Sequence, residues 1–215
     1  MRQIWIYLCA VLIVLIAVPA FACYTGMNLI PTVDMVGQRT LRLDLQIEGD
    51  TDGIRADTWI FNTQYGISDQ FEFGIDHDFS DGASPRNMLN FKYLIPSSNV
   101  LKIPISLGVC NVADSTKADL YAVTAYQADF ARLHFGYGRL ESEDEWFVGA
   151  DKAIGGYTLM AEYMHGQANS LTLGTSYNLT PYVSLSASYE HPNDDSSDRF
   201  IMYFGYSLLI GGKSE

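Results

Sequence analysis

Leu41, Leu43, Leu45 and Ile47 alternate with Arg42, Asp44, Gln46 and Glu48. A period of two is the mark of a β-strand, because successive side chains point to opposite faces. The same alternation returns in Leu171, Leu173, Thr175 and Tyr177 against Thr172, Gly174 and Ser176. It returns again in Val183, Leu185, Ala187 and Tyr189 against Ser184, Ser186 and Ser188. Extended along the chain, it predicts twelve strands over residues 38–48, 56–67, 70–79, 88–95, 100–110, 120–127, 130–139, 145–153, 157–165, 170–178, 183–190 and 199–209. Most are about as long as a tilted strand needs to cross a hydrocarbon layer. No helical period persists after residue 22.

The connections fall into two classes that alternate in order. Ser68-Asp69, Pro96 to Asn99, Ala128-Asp129, Gly155-Gly156 and Thr180-Pro181 are tight. Gly49 to Gly53, Ser80 to Asn87, Asn111 to Lys117, Glu141 to Asp144, Gly166 to Asn169 and Pro192 to Asp198 are longer and more acidic. This is the order of an all-β, closed antiparallel up-and-down transmembrane β-barrel of about twelve strands. The polar faces are rich in Ser and Gly rather than Lys and Glu, which suits an enclosed lumen better than a solvated surface. In lipid such a sheet must close, since an open edge leaves peptide groups unpaired. Trp59, Tyr65, Tyr93, Tyr126, Tyr137, Trp146, Tyr163, Tyr177, Tyr189 and Tyr206 fall toward strand ends, the expected place for membrane-interface aromatics. A soluble exported β-barrel that binds a ligand is the alternative architecture.

The chain opens with Arg2, an apolar run from Ile4 to Ala17, then Pro19, Ala20 and Ala22, the three-part form of an export signal. The expected organisation is a signal peptide over 1–22, a periplasmic N-terminal segment over 23–37, the barrel over 38–209 and a tail over 210–215. An outer-membrane address follows. Cys23 after Ala20-Phe21-Ala22 is a candidate lipidation site, although the usual Leu three places before it is missing. Cys9 lies in the signal, so the cysteines support neither a disulfide scaffold nor a thiolate metal site. Against 25 acidic residues stand 13 basic ones, a net charge of -12, which disfavours nucleic-acid binding.

Thr25-Gly26-Met27-Asn28-Leu29-Ile30-Pro31-Thr32 resembles the Gly-Leu-Ile-x-x-Pro-Thr segment preceding the barrel in outer-membrane proteins of the YjbH type. Phe91 to Leu94, Leu159 to Tyr163 and the Tyr-x-Leu-Thr-Pro turn at Tyr177 to Pro181 are similar to that group too. The resemblance implies a short single-barrel relative and a role as accessory to exopolysaccharide or envelope secretion. The partners so implied are polysaccharide-secretion components, beside the outer-membrane lipid and the barrel-assembly machinery that any such barrel meets. In this setting residues 23–36 are expected at the periplasmic mouth, with Pro31 fixing the direction of the chain.

The polar faces also carry charge. Arg42, Lys92, Lys102, Arg132 and His134 are expected to share the lumen with Asp44, Glu48, Glu72, Asp76, Asp78, Asp151, Glu162 and Glu190. A narrow interior needs such ions paired, so a salt-bridged and largely plugged lumen is the first expectation, and a narrow passive channel for small solutes the second. Asp76-His77-Asp78 suggests a metal site, but in a strand His77 points away from both aspartates. No metal and no cofactor is expected. A lipid-modifying hydrolase would need Ser, His and an orienting group together on the lipid side. Ser186 and Ser188 fall on the lumen face and His191 at a rim, so the chain reads as non-catalytic.

Overall fold

The computed structural model describes residues 26–82, 85–98, 102–112, 118–140, 143–166 and 170–211. The signal, Cys23 and most of the tail lie outside them. Twelve strands follow in order: β1 Thr40–Asp50, β2 Arg55–Ser68, β3 Phe71–Asp78, β4 Arg86–Ile95, β5 Ile105–Val112, β6 Asp119–Gln127, β7 Arg132–Leu140, β8 Glu143–Ile154, β9 Tyr157–Met164, β10 Ser170–Asn178, β11 Val183–Pro192 and β12 Arg199–Leu209. Each pairs antiparallel with its neighbour in sequence, and β1 closes on β12 from Thr40↔Leu209 to Asp50↔Arg199. Closure leaves no strand edge unpaired, the condition for a sheet to sit in lipid.

The two faces of the sheet settle which side is which. In β7, His134, Gly136, Gly138 and Leu140 are buried, whereas Phe135 and Tyr137 are 55% and 53% exposed. Leu107, Leu120, Leu159, Leu173, Met202 and Phe204 are likewise exposed on the outward register of their strands. A soluble barrel would bury such residues. Here the outward belt is apolar and the inward face carries the buried Asp44, Asn62, Asp76 and Glu162, the arrangement of a transmembrane barrel.

Two features depart from the sequence reading. The fifth strand begins at Ile105 rather than near residue 100. Pro104 has no N–H to give a ladder, and the connection on that side spans 96–104 instead of a tight turn. Conversely β7 and β8 stay paired to Leu140↔Glu143, so Glu143 and Asp144, expected in the acidic loop from Glu141 to Asp144, belong to β8. The alternation of short and long connections is therefore less strict than the sequence suggests.

The segment expected at the mouth runs inside the barrel. Ile30, Pro31 and Thr32 are fully buried, and Asn28, Val33 and Val36 nearly so. Between Met27 and Val36 the chain touches side chains or glycines of β3, β4, β5, β7, β8, β9, β10, β11 and β12. Only the lumen lies within reach of all these strands. The passage from lumen to wall is a sharp reversal at Gly37 to Arg39. Arg39 has φ of 61°, its N–H donates to Gly66 O (2.7 Å), and Thr40 N–H donates to Gly37 O (2.9 Å). A Cβ on Gly66 would lie 2.2 Å from Gly37 O, so a glycine in β2 is what lets the chain cross it.

Candidate functional site: the lumen and the segment that fills it

Over Gly26 to Pro31 the segment turns back on itself. Met27 N–H donates to Ile30 O (3.0 Å), and Gly26 bridges Pro31. The turn aims three successive backbone N–H groups at one side chain. Asn28 N–H donates to Glu162 Oε1 (2.9 Å), and Leu29 and Ile30 N–H donate to Glu162 Oε2 (2.8 and 3.0 Å). The Asn28 side-chain amide donates to the same carboxylate. A run of N–H groups facing inward forms a concavity that suits an anion. Tyr203 OH closes the far side by donating to Asn28 O (2.7 Å). These bonds meet the demand that buried peptide groups find partners.

A second anchor lies nearer the end where β7 begins. The Arg132 guanidinium grips Asp34 through both terminal nitrogens (2.6 and 2.8 Å) while its Nε donates to Asp151 (2.8 Å). The planar fork fits a carboxylate in two-point fashion. Asp151 also contacts His134 Nε2 at 2.6 Å. Lys92, buried, donates to Asp34 O and lies 4.0 Å from Glu72, whose carboxylate accepts from Val36 N–H. Burial pulls the Asp34 carboxyl upward, but the Arg132 fork outweighs it and holds the group below its usual range.

Between the two anchors the contact is mostly apolar, with Ser106 Oγ donating to Val33 O (3.4 Å). Ile30 and Val33 join Tyr121, Val123, Ala125 and Phe147 in one buried cluster, with Met27, Leu29 and Leu94 packed against it. The inward aromatic rings rest on glycines. A Cβ on Gly108 would fall 2.0 Å from the Tyr121 ring, and one on Gly136 2.0 Å from the Phe147 ring. The space left between Gln64, Glu72, Asn90 and Lys92 is about 10 Å³, too small for a solute.

The remaining charges expected in the lumen are mostly paired within the wall. Arg42 meets Asp44 (2.7 Å), Arg86 meets Asp78 (3.4 Å), and Arg199 meets Glu48 (3.6 Å) and stands opposite Glu190 in register. Asp76 is fully buried beside the Asn62 side-chain amide, which donates to it when its nitrogen is turned toward the carboxylate. Lys102 is the exception. It falls outside β5, ahead of Pro104, and is exposed rather than in the lumen. Sequence reasoning missed Arg86, Arg199, Glu145 and Asp119, and above all the inward aromatics. Their one visible signal is that β6 and β8 carry apolar residues on both registers.

The ten aromatics expected at the interfaces all take outward register positions. Tyr93, Tyr126, Tyr137, Trp146, Tyr177, Tyr189 and Tyr206 are exposed, and Trp59, Tyr65 and Tyr163 are half-buried against neighbours. Trp59 stacks on Phe79, Tyr65 meets Phe73 edge-on, and Trp146 lies 5.5 Å from Tyr163 and 5.1 Å from His165. His77 also points outward, stacked on Phe79 and within 3.2 Å of Asn87 Oδ1, so it does not converge with Asp76 and Asp78. Among the described residues, no group of three His, Cys, Asp or Glu side chains is placed to hold a metal ion.

No protein-family model matches this sequence, and neither does any curated protein. The fold is similar to two solved structures of the KdgM porin. One, in complex with disordered oligogalacturonate, has 13% identity and a TM-score of 0.58, covering 78% of this chain and 99% of that chain. The other, the KdgM porin by itself, has 14% identity and a TM-score of 0.58 over the same shares. At this identity the likeness speaks for the fold. With the closed sheet and the apolar outer belt, it marks the chain as an outer-membrane β-barrel.

Proposed function

We propose that this barrel is a non-catalytic, self-plugged channel. It conducts only when residues 26–36 leave the lumen. The observation that carries this reading is the way the segment is held: a few polar anchors at Glu162 and Arg132, and apolar packing in between. Every anchor is a non-covalent contact, and both Arg132 and Lys92 keep a wall partner, Asp151 and Glu72, when the segment is gone. The vacated path would be lined by Asp44, Asp76, Glu72 and Glu162, which favours cations and uncharged solutes over polyanions. The oligogalacturonate of the KdgM complex, a polycarboxylate, is thus a poor model for the cargo of this chain.

The test is planar-bilayer conductance of the purified full chain beside two variants. Wild type stays mostly closed. Glu162→Gln loosens the inner anchor. Gly149→Val places a branched side chain where Ile30 Cδ1 sits, 2.5 Å from a Cβ at that position. Both variants show frequent openings, with cations passing more readily than anions. Silence of all three proteins in every salt sinks the channel.

A second reading is an accessory role in exopolysaccharide or envelope secretion. It is favoured by one fact: the residues that resemble the YjbH type, Gly26 to Thr32, are those that fill the lumen. A secretion component that draws on this segment from the periplasmic side would act directly on the plug. Co-purification of secretion proteins with the full chain, lost when Asn28 to Thr32 are changed, is the matching observation.

A further inference from the structure

The plug displays the chemistry of its own seat. Its Asp34 carboxylate occupies the two-point fork of Arg132, and Lys92 donates to the adjoining carbonyl. Four residues further into the lumen, Ile30 is buried against Phe147 and its cluster, with Val33 in between. Five extended residues span at most about 18 Å, and this stretch is shorter because it bends. A guanidinium fork at one end and a mostly apolar wall leading away from it, broken by Ser106, form a seat for a molecule with one carboxylate and an apolar tail. Asp44 of β1 and Asp76 of β3 lie elsewhere, held by Arg42 and Asn62, while Glu72 of β3 stays with Lys92.

We propose that the lumen binds a single-carboxylate amphiphile of the medium-chain fatty acid class. Its head sits on Arg132 and Lys92, and its tail lies along Val123, Tyr121 and Phe147. Asp34 and Val33 are the internal competitor for that seat. Arg132 keeps Asp151 on its Nε and Lys92 keeps Glu72, so the seat reads one further carboxylate through the two terminal guanidinium nitrogens that Asp34 now occupies, whereas a polyanion would extend its further charges over apolar side chains or toward Glu162. An apolar alcohol lacks the group that the fork reads. The inference rests on the plug being displaceable, as proposed above, and it adds what takes the plug's place.

The experiment is calorimetric titration of octanoate into the full chain in lipid nanodiscs, with empty nanodiscs and octanol as controls. Asp34→Asn removes the competing carboxylate and leaves Arg132 in place. It binds octanoate about fivefold more tightly than wild type, because more of the protein has a free seat. Adding Arg132→Met abolishes the gain, and Arg132→Lys, a milder change, keeps part of it. Octanol gives the same signal in every variant. Equal octanoate affinity in wild type and Asp34→Asn, or binding indifferent to Arg132, overturns the proposal. Openings of Glu162→Gln without Arg132-dependent octanoate binding sink this inference alone. Silence of Glu162→Gln together with no binding sinks the displaceable plug as well.

Discussion

The two sides of the lumen are closed by different means. On the side of β6 to β8, Tyr121, Val123 and Phe147 turn inward and are covered by Ile30 and Val33 of the plug. On the side of β1 to β3, the wall closes on itself: Arg42 holds Asp44, Gln46 bonds Glu48, and Asn62 sits between Gln46 and Asp76. The difference follows from what each surface lacks. An apolar surface is stabilised by any cover that excludes water. Buried polar groups need partners with fixed geometry, and the same strand two residues on or the neighbouring strand supplies them. The plug is therefore an integral part of one half of the lumen and meets the other at its edge, where Val36 N–H donates to Glu72 of β3.

The strongest way to break this contrast is to cut into each half in turn. Phe147→Ala deletes a fully buried ring, and the cavity should cost about 3–5 kcal/mol. Asp76→Asn keeps shape on the polar side and removes a buried carboxylate that, among the described residues, no cation meets. Its stability should stay within about 1 kcal/mol of wild type or rise. Equilibrium urea unfolding in lipid vesicles compares them. Equal losses in the two variants would mean that the halves are not separate.

The next effect concerns the inner anchor. Glu162→Gln weakens acceptance from three peptide N–H groups at once. A hydrogen bond to a charged group is worth about 1.5–3 kcal/mol, and the three are not additive. Hydrogen exchange at Asn28, Leu29 and Ile30 should accelerate by roughly a hundredfold, while the amides of β1 to β3 keep wild-type rates. Acceleration spread evenly over the barrel would show that the carboxylate supports the wall and not the plug.

This contrast also explains what could be read from the sequence. The twelve strands and their outward faces follow from a period of two, a local signal that survives in any environment, and β10 and β12 begin and end at the expected residues. Pairs such as Arg42 with Asp44 are two residues apart on one strand face, so they too were legible. The plug was not. Asn28 meets Glu162 across 134 residues, and nothing in Gly26 to Val36 repeats with the period of a strand or helix. Its apolar residues Met27, Leu29, Ile30 and Val33 were the available hint, since a solvated linker has little use for them. In β6, Leu120 to Tyr126 is apolar or small on both registers apart from Thr124, so alternation could not reveal that Tyr121 and Val123 face inward to meet them.

The smallest effect is the sharpest probe of the outer anchor. Asp34 has its folded-state pKa depressed, so its pairing with Arg132 stabilises the plug fully above the ordinary aspartate pKa of about 3.9 and is lost as pH falls through the lower folded value. Between pH 8 and pH 5 the docking of Thr32 to Val36 should not change through this group. Release should begin only below about pH 4. The pair is part-exposed on both sides, so solvent screening limits its worth to about 1 kcal/mol. Asp34→Asn should therefore reproduce at pH 7 the modest loosening that acid produces in wild type, and acid should add little to it. Hydrogen exchange of Val33 to Val36, read at both pH values after correction for intrinsic rates, measures the difference. If the variant loosens further in acid by as much as wild type does, the titrating group lies elsewhere. The outer end of the plug would then be held by Lys92 and the apolar cluster, not by the Arg132 fork.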